Sequence, residues 1–200
     1  MRIGVFGGTF DPLHLAHLRV AEEVAEKQRL DKVLFIPAAR PPHRRAPQAS
    51  PQDRLAMVRL GVAGNLKFEV SDCEIKRPGI SYTVDTLAAL KQRHPRDRFF
   101  LLMGMDQLLE LHAWHDVPRL LKLCRVVAFS RPGQPLPQPG SVLGPDGKPL
   151  PARAFTLQSV SALEISATLI RRRAQRRESL KYLLPEPVIR YLQKHQLYQS

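Results

Sequence analysis

RIGVFGGTFDPLHLAHLRV, residues 2–20, decides how the rest of this chain folds. Its front half is a short apolar run, Ile3-Gly4-Val5-Phe6, closed by Gly7-Gly8, the pattern of a buried strand stopped by a turn. Asp11-Pro12 then precedes a helical pattern, as a cap and a first-turn residue would. Ala16, Val20 and Val24 fall on one helical stripe, the side predicted to face a sheet. His14 and His17, three apart, are neighbours on the helix surface and lie off that stripe. Glycines let backbone N–H groups approach a ligand closely. A helix start adds unpaired donors and the positive end of a dipole, so this junction favours phosphate. Two imidazoles beside it can hydrogen-bond phosphate oxygens, as neutral donors or as cations. The same residues would also make an ordinary strand–helix turn with two solvated histidines. The adjacent glycines are not the dinucleotide fingerprint GxGxxG, and no GK[ST] follows as in a P-loop.

Working outward, strand and helix patterns alternate. Apolar runs at 32–36, 67–70, 98–103, 125–129 and 154–157 read as further strands, and 73–77 as a short extended piece. Helical spacing covers 15–28 and 52–63, the latter with Leu55, Val58 and Val62 on one side. Ser81 or Thr83 can cap a helix running to Arg93, with Val84, Leu87 and Leu90 inward. Another helix spans 117–123, and Ser166 can cap one that begins at once. This alternation predicts an α/β, Rossmann-like, doubly wound parallel sheet with helices on both faces. Residues 1–200 read as a single domain. In it, 133–151 is a Pro- and Gly-rich flexible surface loop and 166–198 a C-terminal helical part. Ligands of such sheets bind beyond the strands' carboxyl ends at the switch point.

Composition narrows the classes. The chain has 200 residues, 44% of them hydrophobic, enough for an ordinary core. It has no apolar run long enough to span a bilayer, and its N-terminus enters a strand without a signal-peptide pattern. Cys73 and Cys124 form no metal-type spacing. They read as free thiols in a reducing cytoplasm, with a disulfide as the alternative. The net charge of +13 calls for a polyanionic partner, either nucleic acid or phosphorylated small substrates, or for a tolerant surface. Charge alone does not choose between them.

Other groups stand where strands or helices turn. His43, Arg44 and Arg45 form a basic loop after the second strand. Tyr82 and Thr83 lie at a helix start whose open amides suit a carboxylate or phosphate. Gly104 ends a strand and permits close backbone approach, and Asp106 can accept from hydroxyls or an amino group. Trp114, the single tryptophan, offers a face for ring stacking. Ser166, Thr168 and Arg171 supply hydroxyls and a guanidinium at a helix start, a set that fits a triphosphate.

GGTFDPLHLAH resembles the GxFxPxHxGH signature of the nucleotidyltransferase superfamily, which transfers a nucleoside monophosphate from ATP or CTP. LEISATLIR resembles its ISSTxIR signature. Ala16 stands in place of the family's glycine, and Ala167 in place of the second serine. The resemblance implies that His14, His17 and Arg171 are catalytic. It implies ATP contacts from Gly7, Gly8, Thr9, Phe10, Gly104, Asp106, Ile165, Ser166 and Thr168. Arg40-Pro41-Pro42-His43-Arg44 is similar to the PPHK segment of the bacterial nicotinate-nucleotide branch, with Arg44 for lysine. SYTVDTL, GMD and Trp114 match the same branch. The implied contacts to nicotinate mononucleotide are His43, Arg44, Tyr82, Thr83 and Trp114. The implied reaction is adenylyl transfer from ATP to nicotinate mononucleotide in NAD biosynthesis, giving deamido-NAD and pyrophosphate. Mg²⁺ enters with ATP, without a protein metal site. The enzyme is expected in the cytoplasm, with no membrane or nucleic-acid partner. The alternatives are nicotinamide mononucleotide or phosphopantetheine as acceptor and, more remotely, a basic nucleic-acid-binding module, which leaves GGTFDPLHLAH unexplained.

Overall fold

The first apolar run grows into β1, Arg2–Gly8, and hands the chain to α1, Leu15–Lys27. There follow β2 (Lys32–Pro37), α2 (Pro51–Val62), β3 (Phe68–Val70), α3 (Cys73–Lys76), α4 (Thr83–Arg93), β4 (Arg98–Gly104), α5 (Met105–Leu109), α6 (Val117–Leu123), β5 (Cys124–Ser130), β6 (Phe155–Ser159), α7 (Ala167–Gln175) and α8 (Glu186–Lys194). This is a computed structural model, and it describes residues 1–42, 46–130, 137–138, 140–161 and 163–199. The six strands form one sheet in the order β3-β2-β1-β4-β5-β6, every pair parallel. The order reverses between β1 and β4, so the crevice beyond their carboxyl ends is the switch point. The doubly wound α/β fold expected from the alternation is the fold observed.

Strands covered on both faces must be apolar along their interior, and residues 99–103 of β4 show this. Phe99, Leu101 and Met103 enter one core cluster with Leu87 and Leu90 of α4, Leu108 of α5 and Leu120 of α6. Phe100 and Leu102 enter a second, on the opposite face, with Val24 and Ala25 of α1 and Val58 and Val62 of α2. A third cluster joins α7 and α8 to Met57, Ile165, Leu180, Leu184 and Tyr198. It fastens the C-terminal helical part beside the start of α1.

Four local readings change. The 73–77 stretch is helical, not extended. Asp72 pairs with Lys76 at 3.1 Å and Glu74 turns inward to Thr86, but four helical residues are too few to show a period. The predicted stripe of α1 splits: Val20 and Val24 face the sheet, whereas Ala16 packs on the third cluster. On α2 the buried side runs through Arg54, Met57, Val58 and Val62, leaving Leu55 only half-buried. The described part of 133–151 is not wholly superficial. Val142 is buried in the first cluster, above a small turn closed by a Leu143–Pro149 bridge.

Candidate active site

Gly7 and Gly8 carry the chain out of the sheet beside the switch point. A side chain at Gly7 would meet nothing within 4 Å, so the space above this backbone is open. Phe10 adopts the left-handed region (φ 49°), a cost of about 1 kcal/mol. Its ring offsets that by packing, 3% exposed, edge-on to Phe6 and His17. The peptide between Asp11 and Pro12 is cis. Asp11 is not the helix cap expected of it; His14 holds that position. The Asp11 carboxylate instead accepts the backbone N–H of Gln48 (2.9 Å) and Ala49 (3.1 Å) and the Tyr198 hydroxyl (2.6 Å).

His14 and His17 are not two separate solvated side chains: His14 is buried and His17 half-buried. Their rings stack with centroids 3.7 Å apart, and His14 is 5% exposed. His17 Nδ1 accepts the His14 backbone N–H at 3.3 Å. A ring nitrogen that accepts carries no proton, so while this bond is made the donor of the His17 ring is Nε2.

The second motif comes to the same place. Ser166 Oγ accepts the Leu169 N–H (3.2 Å) and caps α7, as expected. Arg171, one turn on, donates from Nη1 to the Asp11 carbonyl at 2.7 Å and from Nη2 to Thr168 Oγ1 at 3.2 Å. Two signatures 160 residues apart therefore meet through one hydrogen bond. Ile165 is buried in the third cluster, so only its backbone can face a ligand.

Beneath them lies Arg54, which the sequence reading passed over. It is fully buried, and its guanidinium donates to the carbonyls of Thr9 (2.7 Å), Ala39 (3.3 Å) and Ala49 (3.3 Å). It thereby joins the glycine loop to the segment after β2. Asp11 and Tyr198 were also missed as parts of the site. A signal for Arg54 was present: it stands three and four residues before Met57 and Val58, on the buried side of α2.

On the neighbouring strand, Gly104 caps α5. A Cβ there would come within 2.5 Å of Asp106 Oδ1, so glycine lets this carboxylate fold over the strand end. Tyr82, rather than Ser81 or Thr83, precedes α4, and no side chain caps the helix. Its first amides thus remain open at Thr83 and beyond. Ser81 serves elsewhere: its Oγ accepts the N–H groups of Ala39 and Arg40, tying α4 to the loop after β2. Behind it, Thr86 Oγ1 donates to the buried Glu74 at 2.6 Å, and Arg77 donates to Thr86 Oγ1 and to the Tyr82 carbonyl. Burial pushes the Glu74 carboxyl up from its usual range, against the opposing hydrogen bond from Thr86. Trp114 follows a 3₁₀ turn, Leu111–Ala113, and is half-buried against the first cluster. Its neighbour His115, unremarked in the sequence, lies against the Tyr82 ring with centroids 4.3 Å apart. His43 and Arg44 lie outside the described residues.

Among the described residues, no three His, Cys, Asp or Glu side chains come together in a way that could hold a metal ion. No helix of the described residues is long and apolar enough to cross a membrane. Both cysteines are free, and burial raises the Cys124 thiol to about 12.

Known proteins resemble this chain in sequence and in fold. The family profile described as cytidylyltransferase-like matches residues 5–173. A protein of Syntrophotalea carbinolica named "Probable nicotinate-nucleotide adenylyltransferase" is 42% identical over 100% of this chain and 98% of its own length. One of the same name from Pseudomonas syringae pv. tomato is 41% identical over 100% of this chain and 94% of its own. Among solved structures, Plasmodium falciparum nicotinic acid mononucleotide adenylyltransferase complexed with NaAD superposes with a TM-score of 0.78. At 19% identity, over 98% of this chain and 97% of that one, it bears on the fold alone. With the sheet order, the two joined motifs and full-length relatives in agreement, the chain belongs to the nicotinate-nucleotide adenylyltransferase family of cytidylyltransferase-like enzymes.

Proposed function

We propose that the crevice between β1 and β4 transfers the adenylyl group of ATP to nicotinate mononucleotide, releasing pyrophosphate and deamido-NAD. The observation that carries this is the bond from Arg171 to the Asp11 carbonyl, which ties a guanidinium to the loop that leads into the stacked histidines. An oxygen of the acceptor's 5′-phosphate attacks the α-phosphorus in line. The bond from that phosphorus to the bridging oxygen of the β-phosphate breaks, and pyrophosphate leaves with the electron pair. The attacking group is already an anion, so neither a covalent enzyme intermediate nor a general base is needed. Catalysis is positioning and charge stabilisation.

In this reading the backbone of residues 7–10 borders the phosphates, with Gly104 and Asp106 across the crevice at the end of β4. His14 orients the α-phosphate and His17 donates from Nε2 to the phosphates beside it. Arg171, with Ser166 and Thr168 at the start of α7, counters charge on the departing pyrophosphate. The acceptor's pyridine ring stacks on Trp114, and its carboxylate meets the open amides around Thr83, with His43 and Arg44 as further contacts. Mg²⁺ comes as part of the MgATP substrate, held by phosphate oxygens and water. Two free thiols support a reducing, cytoplasmic setting.

The test is pyrophosphate release from ATP and Mg²⁺ with nicotinate mononucleotide, nicotinamide mononucleotide and phosphopantetheine as parallel acceptors. Strong preference for the nicotinate form is expected. Preference for another acceptor would keep the phosphate site and discard the pyridine pocket. Release with none would discard the reaction.

A further inference from the structure

The third residue from the end of the chain is wired into the first loop. Tyr198 is 7% exposed, packed in the third cluster, and its hydroxyl donates to Asp11 Oδ1 at 2.6 Å. Asp11 is itself 6% exposed. Counting the Gln48 and Ala49 amides, three neutral donors occupy its carboxylate. Two cations also feel that charge. Arg54 gives one hydrogen bond from each of its three guanidinium nitrogens to a backbone carbonyl. Arg171 is the other, and its position is unusual. Its Nη1 stands 3.8 Å from Asp11 Oδ2, while the same nitrogen bonds the Asp11 backbone carbonyl at 2.7 Å.

A guanidinium beside a buried carboxylate ordinarily closes to a two-pronged pair at about 2.7–2.9 Å. Here Oδ1 already takes two donors, the Ala49 amide and the Tyr198 hydroxyl, so no two-pronged pair can close, and the guanidinium is held by backbone instead. Of its five N–H donors, two are used among the described residues, on Asp11 O and Thr168 Oγ1. The others remain available to an anion. We propose that Tyr198 is a positioning residue for Arg171: by taking the second acceptor site of Asp11 Oδ1, its hydroxyl keeps the carboxylate from closing a two-pronged pair on the guanidinium, which stays directed at the substrate's phosphates. Burial and the Asp11 hydrogen bond push the phenol far above its ordinary range, so the hydroxyl remains a donor throughout working pH. The inference rests on the role given above to Arg171.

Tyr198→Phe removes the hydroxyl and keeps the ring. Assays at saturating ATP and acceptor favour the folded state by mass action. The expected result is a kcat lowered about tenfold, the scale of one hydrogen bond to a charged group. Inhibition by pyrophosphate weakens by a similar factor, and KM for nicotinate mononucleotide is unchanged. Tyr191→Phe is the control. That hydroxyl also donates to a carboxylate, Asp53, at 2.8 Å, but in the fastening of α8 to α2, and kcat should stay as it was.

Arg171→Ala and the double variant complete the cycle. In the Arg171→Ala background, Tyr198→Phe should cost nothing further. Additive losses, or a Tyr198→Phe enzyme of normal kcat beside a damaged Arg171→Ala, would overturn this inference and leave the reaction standing. A normal Arg171→Ala enzyme would remove the role of Arg171 itself. The unmodified chain offers a second readout. Pyrophosphate should shift both the Arg171 Nε–H and the buried Tyr198 hydroxyl proton in NMR spectra, and a Tyr198 signal that ignores pyrophosphate would break the coupling.

Discussion

The phosphate end of the crevice and its acceptor end are built on different physics. At the phosphate end the working side chains sit on buried charge and backbone. Asp11, His14 and Arg54 are all nearly or wholly sealed from solvent; Asp11 is held by amides and a phenol, Arg54 by carbonyls, and His14 stacks on His17. At the acceptor end, Tyr82 and Trp114 are half-buried and His115 is exposed, with stacking as the visible contact. The polar brace there, Ser81, Glu74 and Arg77, lies behind the surface. The difference follows from the task. Charge develops at the phosphates during the reaction, and preorganised dipoles in a dry site act on it most strongly. The pyridine ring undergoes no chemistry and needs only a shaped, partly apolar face.

Breaking the phosphate end should therefore have the largest effects. Arg54→Met leaves the carbonyls of Thr9, Ala39 and Ala49 without their donor. A loss of about 3–5 kcal/mol in unfolding free energy is expected, measured by denaturant titration. A loss under about 1 kcal/mol would mean that packing alone holds the glycine loop. His17→Ala should leave the unfolding midpoint near normal and lower kcat on the order of 10²-fold, the range for one preorganised stabilising group. Near-normal turnover in that folded variant would take His17 out of the mechanism.

How much of this contrast was legible in the sequence follows from the same physics. The sheet was, because six apolar runs separated by helical spacing leave few other arrangements. The histidine pair was, because three residues on a helix fix proximity. Their stacking was not, since it depends on how the turn after the first strand sets Phe6 and Phe10 against His17, with Phe129 of the distant fifth strand packed behind Phe6. Asp11 was read as a cap because aspartate before a helix usually is one. Its true partners, Gln48, Ala49 and Tyr198, are 37, 38 and 187 residues away. Arg54 escaped because a buried arginine departs from the apolar pattern that locates a core. The C-terminal helix could be predicted from its amphipathic spacing, but not that it delivers a phenol to the first loop.

The acceptor end offers a smaller, more selective test. Trp114→Ala should raise KM for nicotinate mononucleotide about tenfold, from lost stacking and burial, and leave KM for ATP nearly unchanged. That split would sharpen the division of the crevice into two ends. An equal effect on both substrates would mean that Trp114 supports the β4–α5 connection as a whole.

The smallest effect concerns the brace. Burial raises the Glu74 carboxyl above its ordinary 4.5, although Thr86, Arg77 and Ser81 each pull it down. A raised folded-state value means the folded chain holds a proton that the unfolded chain has already lost. The stability contributed by the group is then full below about 4.5 and declines as pH rises through the folded value. Glutamine has the shape of the protonated acid, and its oxygen can accept from Thr86. Glu74→Gln should therefore match the parent chain under acid conditions and gain on it as pH rises, by less than about 1 kcal/mol. Unfolding curves at several pH values give the sign. If the parent gains on Glu74→Gln instead, Arg77 outweighs burial, and the acceptor end too rests on a buried charge.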